Sequence, residues 1–223
     1  MTMERKLYWA VGLLSLLIFA GSFFIPGQPE EQGGLPWQIE HPAPGETRIF
    51  GLTLGSSTAG EAEQRFHEEG KPSLFKSPDG QLVAEMFFVQ VEMAGLKSRI
   101  VISVAAPAAE LQAMYERGLR ISATGGDKKI TPTPEDAARL RALPIGSLTY
   151  MPSVRIEEEI FAKRFGQPER RFKEKTSGAV HWLYPQHGLD ITLGGAEKPV
   201  LQYVTPKDFV KLLQPLLDNG EAL

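Results

Sequence analysis

Four histidines, His41, His67, His181 and His187, are the residues best suited to metal or acid–base chemistry. None stands in a His-x3-His or HExxH spacing, the patterns that set two imidazoles on one helical face around zinc. His181 and His187 flank an expected hairpin and Asp190 follows, so a metal cluster is conceivable there. A turn histidine and a sheet-surface histidine are the plainer reading. The chain has no cysteine, which excludes disulfides, thiolate catalysis, cysteine-ligated zinc and a lipidated N-terminal cysteine. A serine nucleophile would need a special turn with a histidine and an acid. No G-x-S-x-G occurs, and Ser56 and Ser57 precede a helix start, where serine caps.

Glu157, Glu158 and Glu159 sit where acids favour a helix N-terminus rather than where two carboxylates would share a substrate. Between Lys163 and Lys175, Lys163, Arg164, Arg170, Arg171, Lys173 and Lys175 outnumber Glu169 and Glu174. Such a run could meet anionic headgroups or a wall polymer, but a solvated face is the ordinary outcome. Gly125-Gly126-Asp127-Lys128-Lys129 lacks the spacing of a phosphate loop. The residue types therefore predict no catalytic group, no metal and no cofactor. The formal net charge of −3 gives no basic field for nucleic acid, and the 42% hydrophobic fraction supports a folded core.

The elements that position these residues begin with Leu7–Ile25, an uncharged apolar run. As a helix it would span roughly 28 Å, close to a bilayer's hydrocarbon core. Arg5 and Lys6 precede it, while Glu30, Glu31, Glu40 and Glu46 follow before the next cation, Arg48. That asymmetry predicts an N-terminus (1–6) in the cytoplasm, a single-pass anchor (7–25) in the inner membrane, and a periplasmic domain. A cleaved signal peptide is the rival reading; Ile18 is bulky for cleavage after Ala20, and the apolar run continues to Ile25. Residues 26–45 read as a Pro/Gly linker, with Trp37 inside it as a domain-edge packer or partner anchor.

Two similar α+β units then follow, 46–123 and 146–223, joined by a connector (124–145) with a short helix. Thr58 and Glu61 form a capping box that starts a helix running to Glu69, before Gly70 and Pro72. Leu82–Val91 and Leu96–Val104 read as strands, Pro107 opens a helix, and Thr133-Pro134-Glu135-Asp136 starts the connector helix. In the second unit Ser153 is the expected cap, with a stripe of Ile156, Ile160, Phe161 and Phe165. Strands Ala179–Tyr184, Leu189–Leu193 and Val200–Val204 follow. A last helix carries Phe209, Leu212, Leu213 and Leu216, with Pro215 late in it. The two units align at one offset: Thr53 with Thr149, Ser57 with Ser153, Glu61 with Glu157, Gly70 with Gly166, Pro72 with Pro168.

The segments Phe165-Gly166-Gln167-Pro168, Trp182-Leu183-Tyr184 and Leu189-Asp190-Ile191-Thr192-Leu193 resemble one repeat of the BamE/SmpA/OmlA family. Two such units in tandem resemble the β-lactamase inhibitor protein family. The resemblance covers most of Leu52–Val204, and the chain departs from BamE in lacking a lipobox cysteine. It implies a helix-on-sheet fold that binds proteins and catalyses nothing.

The expected fold is thus α+β: an anchor, then two helix-plus-antiparallel-sheet units with helices on one sheet face. The expected function is an anchored envelope protein that binds a protein partner. A ligand- or wall-polymer-binding module, and less so an envelope hydrolase, are the alternatives. Helices on one face leave the other open. The polar residues Glu85 and His181 mark that open parity, so Phe87, Val89, His181 and Leu183 are the expected partner-binding patch. Burial of both parities, by a neighbouring unit or by the segment around Trp37, is the competing expectation.

Overall fold

The computed structural model describes residues 34–124, 126–194 and 198–223. After a short hairpin of β1 (Arg48–Ile49) and β2 (Leu52–Thr53), a helix and three strands follow: α1 (Ala59–Phe66), β3 (Lys71–Lys76), β4 (Leu82–Met93) and β5 (Leu96–Val104). The middle of the chain holds α2 (Ala108–Glu116), β6 (Arg120–Thr124), β7 (Asp127–Thr131) and α3 (Pro134–Arg141). The second half runs β8 (Ile145–Pro152), α4 (Glu158–Phe165), β9 (Arg170–Glu174), β10 (Val180–Tyr184), β11 (Leu189–Leu193) and β12 (Val200–Tyr203). It ends with α5 (Val210–Asn219) and β13 (Gly220–Ala222).

Eleven of these strands form one antiparallel sheet, in the order β13-β9-β10-β11-β12-β8-β5-β4-β3-β7-β6. The expectation of two helix-plus-sheet units is corrected by this. The chain is dominated by one continuous sheet, because β12 pairs with β8 and welds the halves together (Leu201 opposite Tyr150, Tyr203 opposite Leu148). Both inner edges are then satisfied by each other instead of by water. Helices on a single face are corrected too. Ala62, Phe66, Leu111, Met114, Leu140 and Phe161 of α1–α4 join one core. By contrast, α5 contributes Leu216 to a separate cluster with Phe172, Leu183, Val204 and Phe209. Leu183 lies between Trp182 and Tyr184, which belong to the first core, so α5 covers the opposite sheet face.

Local chemistry explains the helices. Thr58 and Glu61 exchange backbone N–H bonds at α1, and Thr133 caps α3 by accepting from the Asp136 N–H. Arg141 on α3 reaches Glu63 at 2.9 Å and Glu69 at 3.1 Å, tying α3 to α1 and its exit turn. Residues 34–45 are no free linker: Pro36 is buried, its carbonyl accepts from the Tyr203 hydroxyl at 2.6 Å, and Glu40 bridges Arg48.

Among the described residues no helix is long and apolar enough to cross a membrane. The expected anchor, Leu7–Ile25, lies outside the described residues. The single-pass inner-membrane placement, and the periplasmic domain that followed from it, therefore find no support among the described residues.

Candidate binding face

The face opposite the first core can be followed strand by strand. One row runs Phe87, Val101, Thr149, Gln202, Asp190, Leu183. A parallel row runs Arg99, Met151, then Val200, Thr192, His181, Phe172. The β13 half of this face is roofed by α5, and the β4 half carries no helix among the described residues. There Phe75, Phe87, Val89, Val101 and Met151 are each partly exposed, and Arg99 is exposed. Glu85 lies on the same face, and burial, helped by the Asp127 charge and opposed by Lys129, pushes its carboxyl up.

Val89 owes its position to an irregularity. The β4–β5 register shifts between Phe88 and Val91, and the Glu68 carboxylate accepts the two stranded N–H groups, from Val89 at 2.7 Å and Gln90 at 2.8 Å. A charged acceptor in that place fixes the bulge, which returns Val91 and Met93 to the core side.

The four expected patch residues therefore divide. Phe87 and Val89 stand on the open half, partly exposed. Leu183 is fully enclosed in the α5 cluster and His181 is buried; their expected exposure is corrected, because α5 packs on the face they occupy. Val101 and Phe75 complete the open patch and were not expected there. The alternation of β5 placed Ile100, Ile102 and Val104 inward, so Val101 was available by parity as an outward residue.

Two histidine arrangements lie away from the open half. His181 Nδ1 meets Asp190 Oδ2 at 2.8 Å, and Glu174 stands 3.8 Å from Nε2. Burial opposes charge on His181, but the bond and charges of Asp190 and Glu174 outweigh it and raise the imidazole. His181 Nε2 and Asp190 Oδ1 have no hydrogen-bond partner. His187, which the sequence places beside them across a hairpin, meets His41 instead, at 3.2 Å between Nε2 of His41 and Nδ1 of His187. Phe165 packs beside it, and Arg164 lies over the Trp37 ring at 5.0 Å. Among the described residues no cluster of His, Cys, Asp and Glu is arranged to hold a metal ion. Ser57, the other catalytic candidate, accepts from the Thr53 N–H at 3.1 Å just before the α1 cap.

No family model matches the chain, and no curated protein or solved structure matches it either.

Proposed function

We propose that this chain is a non-catalytic protein-binding module whose partner seats on the open half of the sheet, over Phe87, Val89 and Val101. One observation carries the reading. On a single sheet face, the α5 half is roofed while the β4 half carries no helix among the described residues, yet that half presents aromatic and branched side chains. A face meant for water alternates to polar residues, and exposed apolar groups beside Arg99 and Glu85 make the mixed surface typical of recognition. The resemblance noted in the sequence points the same way.

The test is affinity capture with the intact chain from an extract of its source cells, alongside Phe87→Glu, Val101→Lys and the control Leu217→Glu on exposed α5 surface. A captured protein lost with both face variants and kept with the control, at near-unchanged thermal stability, supports the reading. If every captured protein survives both face variants, the partner does not use this face.

A further inference from the structure

The sheet ends at β6. Its outer side has no strand partner among the described residues, and Arg120, Ile121, Ser122 and Ala123 are all exposed. The opposite edge is β13, only three residues long. Short strands, prolines, bulges and charged side chains are the usual protections of an edge; β6 has five residues, no proline, an unbroken register against β7, and one charge, Arg120.

Register fixes what a strand laid along β6 would meet. Ile121 stands opposite Ile130, which continues the core row of Leu74 and Ala84, so Ile121 and Leu119 belong to the helix-covered side. They are 56% and 65% exposed. Arg120 and Ser122 take the other parity, and Ser122 stands opposite Lys129, which reaches over the Phe75 ring. Beyond Leu119 opens a groove of about 720 Å³ lined by Pro72, Pro132, Pro134 and Ala137, with Arg141, paired to Glu69, at its side.

Charge decides the occupant. The β6–β7 hairpin sets Arg120, Lys128 and Lys129 against Asp127 alone. Arg117 and Lys76 nearby are engaged, by Asp136 and by the Tyr115 ring. Pairing β6 with β6 of a second copy would bring two cationic hairpins side by side, which disfavours self-association. We propose that β6 accepts an extended acidic segment of a partner protein as a twelfth strand, its acids over Arg120 and Lys129 and its alternate apolar residues over Ile121 and into the Leu119 groove. Main-chain bonds supply affinity in this mode, and alternate side chains supply selectivity. The inference stands on the edge alone and survives if the open face proves idle.

The probe is a fluorescein-labelled peptide, acetyl-Glu-Val-Glu-Val-Glu-Leu-amide, titrated with the full chain and followed by anisotropy. A version with lysine for every glutamate should bind at least about tenfold more weakly. N-methylation of alternate backbone nitrogens, which leaves the protein untouched, should weaken the acidic peptide by about tenfold where those nitrogens face β6. Arg120→Glu, at an exposed site, should weaken the acidic peptide and strengthen the basic one. The proposal is overturned by equal affinity for both peptides, by indifference to N-methylation in either phase, or by no binding at all. A dimer in sedimentation velocity that Arg120→Glu disrupts would assign the edge to a second copy and overturn it likewise.

Discussion

Replacing Leu183 by alanine separates a roofed sheet from an open one. The side chain is fully enclosed, and its cluster has only four other buried members, Phe172, Val204, Phe209 and Leu216. Leucine-to-alanine changes in cores cost about 2–5 kcal/mol, the spread reflecting how far the site collapses. A ten-residue helix followed only by the three-residue β13 can settle toward the gap, so the lower part of the range, about 3 kcal/mol, is expected. For a domain of this size that lowers the melting temperature by roughly 6–12 °C. Phe87, partly exposed on the same face, should lose only about 1–2 kcal/mol on truncation to alanine despite its larger ring. Leu183→Glu would bury a charge and unfold the α5 half. Circular-dichroism melts and urea titrations of the intact chain give all three. Equal losses for Leu183→Ala and Phe87→Ala, or a stable Leu183→Glu, would refute the roof.

Gly188 has φ of +61°, and a Cβ there would run into the Val204 carbonyl oxygen; Gly188→Ala should cost about 3 kcal/mol or more and lower the melting temperature of the intact chain by at least roughly 6–12 °C. The His41–His187 pair predicts a pH dependence. Burial, and then the neighbouring His41, lower the His187 imidazole, so the unfolded chain holds that proton more tightly and stability is complete above about pH 6.5. It falls as the pH drops from there through the lowered folded value. Geometry agrees: His41 Nδ1 already meets the Glu46 carbonyl at 2.8 Å, so two doubly protonated rings would point N–H at N–H. The difference in melting temperature between the native chain and His187→Gln, measured from pH 8 to pH 5, should shrink toward acid; a flat difference refutes the pairing. His181 contributes with the opposite sign, since its raised value gives stability that is present below about pH 6.5 and lost as the pH rises through the folded value.

The elements whose own residues carry the period were legible in the sequence. The Thr58–Glu61 box placed α1, the alternation of Leu96–Val104 gave β5 its bounds, and Thr133 with Pro134 gave α3 its start. The strands that escaped carry charge: Lys71–Lys76, Arg170–Glu174 and the hairpin Arg120–Thr131, whose second strand falls in the expected connector (124–145). These are held by ladder bonds to neighbours already in place, a tertiary cause with no local hydrophobic period. The α4 start was missed for a similar reason. Glu157, not Ser153, occupies the cap position and makes no side-chain cap bond, so packing of Phe161 sets the helix more than capping does. The site was half legible. Alternation put Phe87 and Leu183 on one face, as they are, but the apolar stripe of α5 says only that it must pack, not on which face.

The weld between halves also explains a costly conformation near the start of the domain. The β1–β2 hairpin turns through Phe50 and Gly51, both at positive φ, 54° and 80°. Glycine takes that region readily, while a bulky aromatic does not. Phe50 is held there by what its ring touches. It lies 5.2 Å from Tyr150 on β8 and 6.3 Å from Tyr203 on β12, the two strands that meet at the centre of the sheet. Tyr203 in turn donates to the Pro36 carbonyl, so the segment before the hairpin is fixed to the same place. The strained turn is therefore a wedge: full burial of one aromatic ring between two others offsets a local cost of about 1–3 kcal/mol. Helices and hairpin together seal that side of the joint. On the other side the row through Thr149 and Gln202 has no equivalent plug among the described residues, and both residues stay partly exposed. The asymmetry that leaves one half-face open thus reaches the middle of the sheet, where the open patch meets the edge of the α5 roof.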